Sequence, residues 1–278
     1  MPAAKKKAPA KKVSVGRSAS KPTRPATTAR AAGRTPTQRI HKPDVSKALL
    51  EDLIDGLHIL AGHKVLDAYG HLSARSDRNP ERFVMTRSRS PAIAEIGDVM
   101  EFDLESNAIG GDTRKPFLER FIHGQIYRAR PDVMAIVHSH AVSVIPFGIS
   151  SAKLRPVFHM GAFLHGGVPI FEIREPGGMT DMLITSNYLG KSLAGSLGAC
   201  SCVLMRGHGY STVGDSITEA VYRAIYTDVN AQVQLQAHSL GGAINFLEDE
   251  EGRIATDTIR KTMDRPWELW KLEVRKKK

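Results

Sequence analysis

The chain has 278 residues, room for one large domain or two small ones, and a formal charge of +10 from 39 Lys and Arg against 29 Asp and Glu. Twelve of those bases lie in positions 1–42, ahead of the first acid, Asp44; the remainder holds 27 bases and 29 acids, a balance that does not suggest a nucleic-acid groove. No stretch approaches the ~20 apolar residues that cross a bilayer and none has a secretory apolar core, so the expectation is a cytoplasmic chain with no membrane contact.

Residues 1–43 set Lys5-Lys6-Lys7 and Lys11-Lys12 among Ala, Pro, Ser and Thr, too little apolar surface to fold, and are read as a disordered basic tail. A weak, salt-sensitive contact with a polyanion and a plain solubilising extension both fit it. A cleaved targeting segment fits less well, because prolines and lysine clusters suit an amphipathic helix poorly. Residues 44–242 are taken as the folded domain and 243–278 as a C-terminal extension.

From Val45 to Gly62 apolar residues recur at helical spacing (Leu49, Leu50, Leu53, Ile54, Leu57, Leu60), which predicts a helix. Strand-like runs follow at Leu72–Ala74, Phe83–Thr86 and Val99–Asp103. A helix is expected from Phe117 to Arg130, ended by Pro131. The apolar run Val133–Val137 reads as a buried strand closing on His138-Ser139-His140, and a short helix is expected from Ala141 to Phe147. Leu154 to Pro176 is mixed and rich in Gly and Pro. A helix beginning near Met182 or Asn187 runs to Leu197, and the strand Cys202–Met205 follows. Cys200 and Cys202 are expected to pack as small hydrophobes in a reducing setting rather than to form a bridge. The longest helix runs from Ser216 to Leu240, with Asp215, Ser216 and Glu219 suited to its start and Gly241-Gly242 to its end. A further helix around Trp267 and Trp270 is expected to dock on a neighbour. Strands interspersed with helices give a layered α/β domain.

The chemistry gathers at histidines. Residues two apart on a strand point the same way, so His138 and His140 leave the strand end side by side. His208, in the loop Arg206-Gly207-His208-Gly209, is a third candidate; three neutral imidazoles plus an open position is a catalytic zinc-type ligand set. The His-x-His pair alone is a weak signal.

Glu119, Arg130-Pro131-Asp132, Val137-His138-Ser139-His140-Ala141 and the His208-Gly209 turn together resemble the class II aldolase/adducin family, over roughly Val45 to Leu240. The resemblance implies a three-layer α/β/α sandwich on a mixed, largely antiparallel sheet, and a homo-oligomer, commonly a tetramer, with active sites at subunit interfaces. It implies a divalent metal site of Glu119, His138, His140 and His208. The departures are informative. Where sugar-phosphate aldolases of the family place small hydroxyl residues before the Glu, this chain has Pro116-Phe117-Leu118. Their small phosphate loop is replaced by Arg87-Ser88-Arg89-Ser90, an Asn by His71, and the region of their catalytic Tyr by Pro156-Val157-Phe158-His159. These stretches look like the branch that decarboxylates hydroxylated aromatic or pyridine carboxylates.

The expected function is therefore a metal-dependent lyase that decarboxylates a small anionic ring acid through a metal-stabilised enolate, with zinc or manganese as the ion. Retro-aldol cleavage of a non-phosphorylated hydroxy-oxo acid and a non-catalytic adducin-like scaffold are the alternatives. Glu119 is expected as fourth ligand or acid/base, and His159 as the ring-carbon proton donor or else a packed core histidine. Arg89, with Arg87 as competitor, is expected to bind a carboxylate with Ser88 beside it, and His71 to orient a substrate hydroxyl. His123 is a supporting residue and His165 a weaker interfacial candidate.

Overall fold

A computed structural model describes residues 38–276. The helix α1 (Lys47–Gly62) starts where the Ser46 side chain accepts a hydrogen bond from the Leu49 amide at 3.1 Å, and its apolar stripe buries Leu53, Ile54, Leu57 and Leu60. Three strands follow, β1 (His71–Arg75), β2 (Arg82–Thr86) and β3 (Val99–Asp103), then α2 (Arg120–Ala129) and β4 (Ala135–Ser139). Next come α3 (Ile145–Ile149), β5 (Ile170–Phe171), α4 (Arg174–Gly177), α5 (Asn187–Leu197), β6 (Cys202–Met205) and β7 (Gly209–Gly214). The chain closes with α6 (Ile217–Leu240), α7 (Asp249–Arg260) and α8 (Asp264–Arg275).

The seven strands form one sheet in the order β3-β2-β1-β4-β7-β6-β5, antiparallel at every pairing except β5 with β6. Strand alternation divides its side chains between two cores. Leu72, Ala135 and Val137 join Leu53, Leu60 and Val221 of α1 and α6. Met85, Ile136 and Val203 face the other way, with Ile122 and Ile126 of α2 and Leu193 of α5. This is the expected α/β/α sandwich. Because His138 shares the parity of Ile136, it leaves the sheet on the α2 side.

Several expectations shift. Residues 210–214, given no element between the His208-Gly209 turn and the longest helix, belong to the buried strand Gly209–Gly214, which pairs with both β4 and β6. The helix expected from Phe117 starts at Arg120, and the one expected from Ala141 starts at Ile145. The C-terminal helix forms, and its Trp267 and Trp270 enter this chain's own core beside α1 and α6. Of the segment read as a tail, residues 1–37 lie outside the described residues. Arg39 is held by backbone bonds to Thr113, and His41 Nε2 lies 3.0 Å from Glu101. Cys200 and Cys202 are both free thiols, with Cys202 buried in β6. Among the described residues no helix is long and apolar enough to cross a membrane.

Candidate metal centre and substrate cavity

His138 lies one residue before the end of β4, His140 follows the strand, and the three-residue turn between β6 and β7 carries His208. Since β7 lies beside β4, this hairpin places His208 next to the other two imidazoles. Their Nε2 atoms meet: His138 to His140 at 3.0 Å, and His208 to His140 at 3.1 Å. Glu119, immediately before α2, completes the cluster, its Oε2 3.7 Å from His138 Nε2 and 3.5 Å from His208 Nε2. All four donor atoms lie within 4.8 Å of one another.

The surroundings orient each donor. Ser211 of β7 lies 3.2 Å from His138 Nδ1, and the Met182 carbonyl 3.1 Å from His208 Nδ1, which puts a proton on Nδ1 and, in the neutral ring, leaves Nε2 free to ligate. Met182 takes a positive φ of 70°, a costly backbone state for a non-glycine residue, at the point where its carbonyl grips His208. Two residues on, the Ile184 amide donates to Glu119 Oε1 at 2.9 Å. Burial, followed by the neighbouring imidazoles, pushes His138 well below the ordinary histidine range. For His208 burial pulls the same way, but the Glu119 carboxylate overrides it and the net direction is up.

The donor set fits a divalent cation. Three imidazole nitrogens pointing at one another across about 3 Å cannot all be satisfied by protons without adding buried positive charge, and one cation relieves all three. Tetrahedral bonds of 2.0–2.1 Å separate their nitrogens by about 3.3 Å, close to the spacing seen.

His140, His208 and Glu119 open onto a cavity of about 310 Å³ that is also lined by His71, Ser88 and Arg89, with Phe117, Leu118, Leu183 and Tyr69 as apolar walls. The volume suits a small ligand. A larger open groove of about 1000 Å³ lies against α1, includes Arg89 but none of the four donors, and is a poorer candidate for the chemistry. His71, first in β1, pairs in register with His138, with ring centroids 5.0 Å apart. Arg89 and not Arg87 lines the cavity; both guanidinium groups bind Asp98, Arg87 Nε at 2.7 Å and Arg89 Nε at 2.9 Å.

His159 is not brought to this cavity. It is exposed at the start of the short helical turn His159–Leu164, which packs against α6 and α7. His165 packs against Gly252 of α7, also away from the donors. Sequence reasoning missed Ser211, the backbone groups of Met182 and Ile184, and Asp98. Recognition of β7 as a strand would have found Ser211, since it sits opposite His138 in register. Backbone partners leave no side-chain signal to read.

The Class II Aldolase and Adducin N-terminal domain family matches residues 51–235. The chain is 38% identical over 244 residues to decarboxylase tropJ of Talaromyces stipitatus, covering 80% of this chain and 92% of that protein. It is 31% identical over 198 residues to the 3,4-dihydroxyphthalate decarboxylase of Arthrobacter keyseri, covering 66% of this chain and 75% of that one. Among solved structures, L-fuculose 1-phosphate aldolase from Glaciozyma antarctica PI12 is similar with a TM-score of 0.63 at 24% identity, covering 76% of this chain and 81% of that chain, a likeness of fold.

Proposed function

Because the chain belongs to the Class II Aldolase and Adducin N-terminal domain family, we propose that it is a divalent-metal-dependent decarboxylase of a hydroxylated aromatic or heteroaromatic carboxylic acid. One observation carries the reading: three imidazole nitrogens and a carboxylate converge at a cavity that also holds an arginine and apolar walls. The two relatives named decarboxylases support the reaction type. Pro116-Phe117-Leu118, with no hydroxyl to hold a phosphate, supports a non-phosphorylated substrate.

Glu119, His138, His140 and His208 would hold the ion, with zinc or manganese suited to the donor set. Bound there, it would act as a Lewis acid toward the substrate oxygen on which charge develops as the C–C bond breaks. Arg89 takes the substrate carboxylate and Ser88 adds a hydroxyl beside it. Phe117 and Leu118 face the planar ring and keep water from it. Loss of carbon dioxide leaves an electron pair on the ring carbon, which takes up one proton. With His159 outside the cavity, Glu119 is the group within it placed to take the proton of the substrate hydroxyl, once substrate displaces its carboxylate, and to pass it to that carbon. A homo-oligomer, the tetramer implied by the resemblance, belongs to the same proposal: Tyr69 and Leu118 at the cavity and Val142 beside His140 stand 70%, 56% and 84% exposed.

The test is direct. Protein stripped with chelator and reloaded with manganese or zinc is expected to release carbon dioxide from ortho-hydroxylated aromatic dicarboxylates, in proportion to bound metal. Aldehyde and oxo acid formed from hydroxy-oxo acids, with no gas from any ring acid, would establish aldol cleavage instead.

A further inference from the structure

Behind the cavity wall at His71 runs a line of buried polar groups that the proposed reaction leaves unused. His71 Nδ1 lies 2.7 Å from His123 Nε2, His123 Nδ1 lies 2.6 Å from Ser73 Oγ, and Ser73 Oγ lies 2.8 Å from the Tyr127 hydroxyl. None of the four residues is more than 3% exposed. β1 supplies His71 and Ser73 from one face, and α2 supplies His123 and Tyr127 one turn apart, so two rigid elements fix the spacing.

Counting donors and acceptors assigns the hydrogens along this line. Ser73 Oγ is the one hydrogen-bond partner of the Tyr127 hydroxyl among the described residues. A buried O–H left unsatisfied costs about 1–3 kcal/mol, so the phenol donates to Ser73. Ser73 then gives its own proton to His123 Nδ1. His123, accepting there, carries its proton on Nε2 and donates to His71 Nδ1. The His71 proton consequently sits on Nε2, on the ring edge left for the cavity. Burial keeps the His123 ring neutral, holding its pKa down to about 3.

We propose that Tyr127, acting through Ser73 and His123, fixes His71 as a neutral Nε2–H donor, so that this wall of the site selects a substrate bearing a hydrogen-bond-accepting oxygen. A phenolate or ring-carbonyl oxygen meets that requirement. A group that only donates does not. Tyr127, Ser73 and His123 are positioning residues here; His71 makes the contact. The identity of the ligand rests on the functional reading above, whereas the tautomer does not.

Long-range proton–nitrogen correlation spectra of the zinc-loaded full chain, labelled at histidine nitrogens, read the tautomer directly, with His71→Gln assigning the signals. The expected result is a protonated Nε2 and a bare Nδ1 on His71, becoming a mixture of tautomers in Ser73→Ala. Tyr127→Phe, the milder change, is expected to produce the same mixing if Ser73→Ala does not fold. In turnover either variant is expected to raise KM for a ring acid about tenfold, the worth of one hydrogen bond, with kcat within about twofold. A wild-type His71 protonated on Nδ1, or variants that leave the tautomer unchanged, would overturn the inference. The assigned tautomer with no carbon dioxide from any ring acid would sink the functional reading alone, and the reverse pair of results this inference alone.

Discussion

Asp98 separates two arginines that the sequence leaves equivalent. Its Oδ1 binds Arg87 Nε and its Oδ2 binds Arg89 Nε, while the Ile93 carbonyl also accepts from Arg89 Nε at 2.9 Å. One carboxylate against two guanidinium groups leaves net positive charge for an anion, and only Arg89 lines the cavity. Arg89→Ala is therefore expected to raise KM for a carboxylate substrate roughly 10–100-fold, the worth of a charged hydrogen-bond pair. Arg87→Ala is expected to stay within about threefold, since it removes a support and not the contact. Steady-state kinetics of the two variants decides this, and an equal loss in both would mean that Asp98 orients the pair as a unit. Residue types were legible in the loop Arg87-Ser88-Arg89-Ser90, but which guanidinium reaches the cavity depends on the Asp98 bridge, formed from eleven and nine residues away. His159 shows the opposite limit: a histidine of suitable chemistry in a suitable stretch, carried off because Phe158–Leu164 packs against α6.

At the scale of elements, the β6–β7 hairpin makes the site. Gly207 takes φ of 63° in its turn, as a three-residue hairpin loop requires, and Gly209 opens β7 against the end of β4. A Cβ on Gly209 would overlap the Ser139 carbonyl oxygen and come 2.9 Å from His140 Cδ2. Gly209→Ala thus forces β7 away from β4 and draws His208 off His140. The expected result is at least tenfold weaker metal binding, with overpacking costing about 1–3 kcal/mol of stability. Metal titration by calorimetry, alongside thermal unfolding, checks both effects; unchanged affinity would show that the hairpin can slide without moving His208. This strand was illegible because Gly209-Tyr210-Ser211-Thr212-Val213-Gly214 lacks a long apolar run. Its small hydroxyl residues are buried because they have partners, Ser211 with His138 and Thr212 with the Ala220 carbonyl. By contrast, α1 and α6 were plain in the sequence, since their stripes repeat at the helical period over many turns.

For the whole molecule, periodicity revealed the layers but not the order of strands in the sheet. β1 pairs with β4 across 61–67 residues and β4 with β7 across 71–79, and such pairings follow from packing against both helical layers rather than from local preference. The metal donors inherit those long connections: Glu119 comes from the start of α2, His138 and His140 from the end of β4, and His208 from the hairpin. A cation held by all four would tie together segments that the unfolded chain keeps far apart, and would bind the folded state alone. At a free metal concentration one hundred times Kd, such binding adds about 2.7 kcal/mol to stability. For a domain of this size that corresponds to a rise in Tm of about 5–10 °C. Thermal unfolding of chelated protein with added zinc or manganese is expected to show this rise, and His138→Ala combined with His208→Ala to abolish it, each protein being compared with its own metal-free Tm because the buried His138 ring also packs against its neighbours. A metal-dependent rise that survives the double variant would place the ion at some other set of ligands and remove the physical basis of the proposed lyase.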